Sequence, residues 1–293
     1  MSTYLLHNDQ YANGNLSINN LTTGSGSLAS STRLTDYLKT TDPREFSSTD
    51  LIIIYSSTDP GHLLPYQDIN VYYKAEKETT VDYAAFNKHN FSLQVSYGGV
   101  LVQALEYVKI SHVSSGVQTT LATHYPTTTE NKNFVLKFNK KVLSANDFIV
   151  FTYRLNRTDF VAKGSRLLRL SYVQIGKSTE LRELEAPFNI PYGKSYKTKH
   201  QRSDTGLVIA TSSKVLPSKI DLKLKNQTKE FIDTNFQNIA DDVSKNPFFI
   251  FDDSGNLPLV PFCWLTKKIK SPKINKNHLY DISINAQAKV YVD

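Results

Sequence analysis

The chain carries almost no sulfur chemistry. Its one cysteine, Cys263, leaves no intramolecular disulfide and no cysteine-based structural zinc site, so the fold must stand on packing. Long hydrophobic runs are missing as well. The longest, Leu51-Ile52-Ile53-Ile54-Tyr55, falls well short of the roughly 18 residues that span a membrane, so no membrane span is expected. The opening MSTYLLHNDQYANGN lacks the basic flank and apolar core of a secretory signal. Nor is there a block of one charge. The net charge is +7, and it is spread out: residues 1–178 hold 17 basic and 14 acidic side chains, residues 179–293 hold 17 and 13. A nucleic-acid binder gathers its charge on one face or stripe, so no specific nucleic-acid partner is expected.

Catalytic motifs are absent too. No G-x-x-x-x-G-K-[ST], G-x-G-x-x-G or G-x-S-x-G occurs. The glycine-rich Gly24-Ser25-Gly26-Ser27 has neither the lysine nor the helix a phosphate cradle needs. His62, His89, His112, His124, His200 and His278 are scattered, with no spacing that sets two on one face for a metal. Cys263 lies in the apolar Pro261-Phe262-Cys263-Trp264-Leu265 and reads as a core thiol. Asp252-Asp253-Ser254-Gly255-Asn256 offers oxygens, but the closing bidentate acid of a calcium loop does not follow, so it reads as a hairpin turn. No catalytic, cofactor-binding or metal-ligating residue is assigned, and the chain is expected to be a non-enzyme without a cofactor.

What is present points to β-structure. Hydrophobic residues make up 40% and charged ones 21%, a globular composition. Seventeen Tyr and fifteen Phe, with many β-branched residues, suit pleated, half-buried surfaces. Residues 1–32, rich in Asn, Ser, Thr and Gly, read as an extended N-terminal arm with one strand at most. Either it is a loose terminus, the reading we prefer, or it orders against a neighbouring subunit. From 33 to 178, strands are expected at 51–55, 69–73, 83–86, 93–97, 107–112, 134–138, 148–155 and 167–175, with turns such as Asp59-Pro60-Gly61. Many short strands at even spacing predict an antiparallel β-sandwich or jelly roll. Residues 179–204, with Pro187, Pro191, Gly193 and a basic stretch over 194–202, read as a crossover.

Residues 205–293 read as a small α+β domain. Strands are expected at 206–211, 219–225, 248–251 and 260–266. The last strand alternates Ile282, Ile284, Ala286, Ala288, Val290 and Val292 with polar residues. One helix is expected over 228–244, where Phe231, Ile232, Phe236, Ile239, Ala240 and Val243 share a face and Asn246-Pro247 ends it.

Two stretches carry a resemblance. Val81-Asp82-Tyr83-Ala84-Ala85-Phe86-Asn87-Lys88-His89-Asn90-Phe91 resembles the V-D-x-[VA]-A-[IF]-x-x-H-N-[FL] segment of galactose-binding-like jelly-roll modules in phage tail proteins. In such modules His89 would be structural and Asn90 a turn former. The second half resembles a tail-assembly domain of phage minor tail proteins through Ile175-Gly176-Lys177, Thr211-Ser212-Ser213, the helix, Asn246-Pro247-Phe248-Phe249-Ile250-Phe251-Asp252, Pro261 to Leu265, and Asp281-Ile282-Ser283-Ile284.

The resemblance implies a minor tail or tail-appendage protein, located in the virion tail and assembled in the host cytoplasm. Its partners would be other copies of itself, as a homo-oligomer, and other phage tail proteins. The alternative is a carbohydrate-binding module for host-surface glycan. It would use the loops at 56–66, 98–104 or 113–132, with Tyr72, Tyr73, Tyr97, Tyr107 and Tyr125 as a stacking platform. The basic clusters at 194–202 and 267–276 would meet acidic partner surfaces or lipopolysaccharide, or simply be solvated. A glycan-degrading enzyme would need two carboxylates facing across a cleft, and no spacing supports that.

Overall fold

The computed structural model describes residues 3–10, 13–23, 27–28, 52–53, 55–56, 66–87, 91, 94–97, 100–103, 105–127, 133–156, 168–169, 172–181, 195–202, 204, 207–216, 218–253 and 260–289. The strands of the first half are β1 (Thr3–Asp9), β2 (Leu16–Thr23), β3 (Tyr66–Ala75), β4 (Thr79–Asn87), β5 (Leu105–Ser114), β6 (Val117–His124), β7 (Phe134–Leu143), β8 (Phe148–Asn156) and β9 (Tyr172–Leu181). The second half holds β10 (Ser195–Arg202), β11 (Val208–Leu216), β12 (Ser218–Gln227), helix α1, β13 (Phe248–Asp252), β14 (Phe262–Leu265) and β15 (Tyr280–Lys289). Helix α1 begins as an α-turn at Lys229–Phe231, passes through a π-turn at Ile232–Phe236 and continues as α-helix over Gln237–Lys245. Short two-stranded ribbons accompany them, among them Gln94–Tyr97 with Val100–Gln103.

The protein is mainly β: an antiparallel sandwich followed by an α+β part with one helix on a sheet. Five strands form one sheet in the order β6-β5-β8-β3-β2. The other sheet has nine, in the order β7-β4-β9-β1-β13-β14-β15-β12, with Lys273–Ile274 paired to β15. Local sequence sets several connections. The β5–β6 hairpin turns on Ser115 and Gly116 at φ 47° and 79°, the doubly positive geometry that suits the twist of a two-residue hairpin. Thr228 caps α1 by accepting from the Phe231 amide at 3.2 Å, and Asn246, already extended, ends it before Pro247.

Three apolar clusters follow from side-chain alternation. In β9, Val173 and Ile175 belong to the sandwich core with Val81, Phe86, Ile110 and Phe151. Leu181, of the same parity, belongs to the helix-side core with Ile220, Leu222, Ile239, Val243 and Ile284. The five-stranded sheet and α1 therefore cover the same face of the long sheet, side by side. Its other face carries Tyr83, Tyr172, Phe249 and Phe262, a mostly aromatic row.

The N-terminus corrects our expectation of a loose arm. β1 lies inside the long sheet, paired antiparallel with β9 on one side and β13 on the other. Leu5 and Leu6 are fully buried, and the Tyr172 hydroxyl donates to the buried Asp9 at 2.7 Å. Two adjacent leucines point to opposite faces, and a bulge follows them: the β1–β9 register shifts between Leu5 and Asn8. His7 keeps the face of Leu5, toward α1, whereas Asp9, beyond the bulge, meets Tyr172 on the opposite face. β2 is likewise a strand of the five-stranded sheet, paired with β3. The expected crossover also differs in part: Ser195–Arg202 is a strand paired with Val208–Leu216. Residue 178 lies within β9, so the long sheet runs through the position expected to divide two domains.

Candidate functional site

The outer face of the five-stranded sheet gathers aromatic and charged side chains that the core does not use. Val108, Ile110, Phe151 and Tyr153 point inward. Their neighbours point out, and the register aligns them in rows. Tyr107 pairs with Arg154, which pairs with Asp68; Lys109 pairs with Thr152, which pairs with Asn70. Arg154 grips Asp68 with two hydrogen bonds, Nε to Oδ1 at 2.7 Å and Nη2 to Oδ2 at 2.8 Å. This fixes the guanidinium plane 4.9 Å from the centre of the Tyr107 ring. Lys109 Nζ lies 5.7 Å from the same ring. Tyr125 stands edge-on to Tyr107, centroids 6.0 Å apart at 74°, and is 64% exposed. Thr152 donates to Asn70 at 2.7 Å in the next row.

The electrostatics of the patch follow from these contacts. The hydrogen bonds to Asp68, against some desolvation, raise the Arg154 guanidinium above its ordinary value, so it stays cationic. The Tyr107 phenol is raised as well, first by burial and then by the Asp68 carboxylate, and it stays neutral. The result is one exposed aromatic ring, Tyr125, near a fixed and partly exposed ion pair, with Tyr107 and Thr152 buried beneath. That set can stack on the C–H face of a sugar ring and hydrogen-bond its hydroxyls.

Of the five tyrosines named from sequence, Tyr107 and Tyr125 come together here. Tyr72 pairs with Val150 on β8 and packs edge-on against Phe148. Tyr73 is buried in the core against Phe151. The Tyr97 side chain lies outside the described residues, as do His62, His89 and Asn90, the glycine-rich stretch except Ser27, and Ser254 to Asn256 of the acidic turn. His112 is buried and hydrogen-bonded to Asp147 at 3.0 Å, while His124 stacks on Phe134. His200 meets Thr211 on β11. His278 occupies a turn at φ 58°. Among the described residues no group of three or more His, Cys, Asp or Glu is placed to hold a metal. Cys263 is fully buried, and burial pushes its thiol far above the ordinary range. Of the second basic cluster, Lys267, Lys268 and Lys270 join Lys219 around a cleft of about 630 Å³.

His7 was not among the residues singled out from the sequence. Its Nδ1 lies 3.0 Å from Asp242 Oδ2 and its Nε2 lies 2.9 Å from Thr179 Oγ1, so it ties β1, α1 and β9 together. No spacing signal marks it, because its partners are 235 and 172 residues away.

No family model matches the chain, and no curated protein matches it. Among solved structures, the module CBM32-3 of a family 31 glycoside hydrolase from Clostridium perfringens overlaps it with a TM-score of 0.34 and 14% identity, over 57% of this chain and 94% of that one. Chitosan-binding module 1 of a chitosanase/glucanase from Paenibacillus sp. IK-5 gives 0.31 and 17%, over 58% and 99%. A family GH29 fucosidase from Ruminococcus gnavus gives 0.34 and 11%, over 58% of this chain and 27% of that one. These scores describe a loose overlap, and the identities are too low to carry a ligand across.

Proposed function

We propose that this protein binds glycans through the outer face of its five-stranded sheet, without turning them over. The observation that carries the reading is Tyr125, an exposed ring set against Tyr107 beside the Arg154–Asp68 pair. A large aromatic side chain left 64% exposed contributes little to the core. One edge of it rests on Tyr107, which leaves the rest of the ring open to a ligand.

The test is a glycan array followed by calorimetry on the best ligand. Tyr125→Ala should fold as the wild type does and bind at least roughly tenfold more weakly, the equivalent of about 1.4 kcal/mol. An unchanged affinity in that variant would remove this face as the site.

The tail-protein reading rests on the sequence resemblance through residues 81–91 and 246–252. In it, the chain is a homo-oligomeric component of a phage tail, and its glycan face points at the host. Mass spectrometry of purified particles tests it. A small, fixed copy number supports a virion component, and absence from particles removes it.

A further inference from the structure

A second cleft opens on the helix side of the molecule, where the end of β9, the end of β12 and the first turns of α1 meet. Its volume is about 530 Å³, within the roughly 300–1,000 Å³ range of small-molecule sites. Three departures from regular backbone meet at this one place. Asn226 adopts φ 55°, the left-handed region. The register of β12 on β15 shifts between Leu224 and Gln227. Residues Ile232–Phe236 form a π-turn, a geometry that recurs at functional sites. Ile232 and Phe236, at the two ends of that turn, pack partly buried against the helix-side core, ahead of the fully buried Ile239 and Val243. Bulges and π-turns re-aim side chains, and here Asn226, Thr234 and Asn235 all line the cleft.

The lining is held in place before any ligand arrives. Asn226 Oδ1 accepts from Asn275 at 2.9 Å, and its backbone amide donates to Asp281 at 3.1 Å. Thr234 donates to the Glu230 carbonyl at 2.7 Å, and Asn235 donates to Thr234 Oγ1 at 2.9 Å. On the β9 wall the Thr179 hydroxyl is fixed by His7, whose ring is 3% exposed and backed by Asp242.

The chemistry of the lining selects a ligand class. Lys177 is one positive charge against two negative ones, Glu180 and Glu230, so an anion is disfavoured. Amides and hydroxyls supply donors and acceptors, the Glu230 carboxylate accepts from hydroxyls, and Phe231 adds apolar surface. We infer that this cleft is a second carbohydrate site that takes a neutral hexose or N-acetylhexosamine. The ligand class rests on the glycan-binding reading above, and the site rests on its own residues.

The test uses the full chain, labelled with ¹⁵N and titrated with the methyl glycosides of galactose, glucose, N-acetylgalactosamine and N-acetylglucosamine. The side-chain amide signals of Asn226 and Asn235 should shift saturably with at least one of them. Glu230→Gln should weaken that binding roughly tenfold, the scale of one charge-assisted hydrogen bond. Asn235→Ala should weaken it similarly, while Tyr125→Ala should leave it unchanged. If binding is seen only at Tyr125 and the Asn226 and Asn235 signals stay still, the second site is wrong and the first stands. If those signals shift and Tyr125→Ala has no effect on any glycan, the first is wrong and the second stands. Shifts that persist undiminished in both cleft variants, or cleavage of the glycoside during titration, would overturn the inference of a binding cleft.

Discussion

Replacing Gly176 with alanine tests the placement of β1 directly. A Cβ built on Gly176 meets the carbonyl oxygen of Asn8 at 1.7 Å, its carbon at 2.7 Å and the Tyr83 hydroxyl at 3.0 Å. Comfortable carbon contacts lie near 3.5–4.0 Å, so the β1 backbone would have to retreat by roughly 1.5–2 Å. It has little room to do so. Asp9 is paired with Gly176, the Gln10 amide donates to the Ile175 carbonyl at 2.8 Å, and β13 holds β1 from the other side. Overpacking relieved by side chains costs about 1–3 kcal/mol. Here the obstacle is backbone, and moving it disturbs Leu5 and Leu6, buried leucines of the kind whose truncation costs about 2–5 kcal/mol each.

We therefore expect Gly176→Ala to destabilise the protein by about 3 kcal/mol or more, a fall in melting temperature of roughly 6–12 °C for a chain of this size. Circular dichroism melts and urea titration read both quantities. Gly14→Ala is the contrast. Gly14 has φ 70° but nothing within 4 Å of its would-be Cβ, so only backbone strain of about 1–2 kcal/mol is expected. A Gly176→Ala protein melting within about 2 °C of wild type would show that β1 does not run against β9 as described.

Because β1 is hydrogen-bonded on both sides, calorimetry should show one unfolding transition in which both halves melt together, and two separated transitions would contradict the continuous sheet. Asp147 should make the protein acid-sensitive. Burial opposes its ionisation, but hydrogen bonds from Ser114, His112 and the Ser144 amide hold its carboxyl below the ordinary value. Its contribution is thus present above the unfolded carboxyl value of about 3.9 and is lost as pH falls below that. Asp147→Asn should be less stable than wild type at neutral pH and should converge with it toward acid; a constant difference across that range would refute the assignment. Cys263 should resist a thiol reagent in the native protein and react on unfolding, so rapid native labelling would show that the residue is not buried.

Much of the architecture was legible because alternation is a local signal. The last long strand shows Ile282, Ile284, Ala286 and Ala288 buried, as the two-residue period required, while Val290 and Val292 lie outside the described residues. The helix was equally plain from Phe231 to Val243. The tyrosine platform was half legible. Sequence offers five tyrosines, but only register separates Tyr107, which faces out beside Arg154, from Tyr73, which faces the core. The basic run at 194–202 looked like a linker because its side chains are polar. In the structure Thr198, Lys199, His200 and Gln201 are all exposed along a strand, and a ribbon exposed in this way needs no apolar alternation.

β1 was the hardest element to see, for a physical reason. A strand buried on both faces normally reads as an apolar run. Thr3-Tyr4-Leu5-Leu6-His7-Asn8-Asp9 has two leucines side by side and polar residues after them. The bulge removes the period a reader would look for, and the polar residues are satisfied by partners far along the chain: His7 by Thr179 and Asp242, Asp9 by Tyr172. His7 and Asp9 are tolerated there only because those partners already stand on β9 and α1, while Asn8 accepts locally from Gln10 and Asn13. The N-terminal strand is therefore specified by the rest of the fold more than by its own sequence. The same contact fixes Thr179 in the wall of the helix-side cleft, so the element least visible in the sequence helps to shape that site.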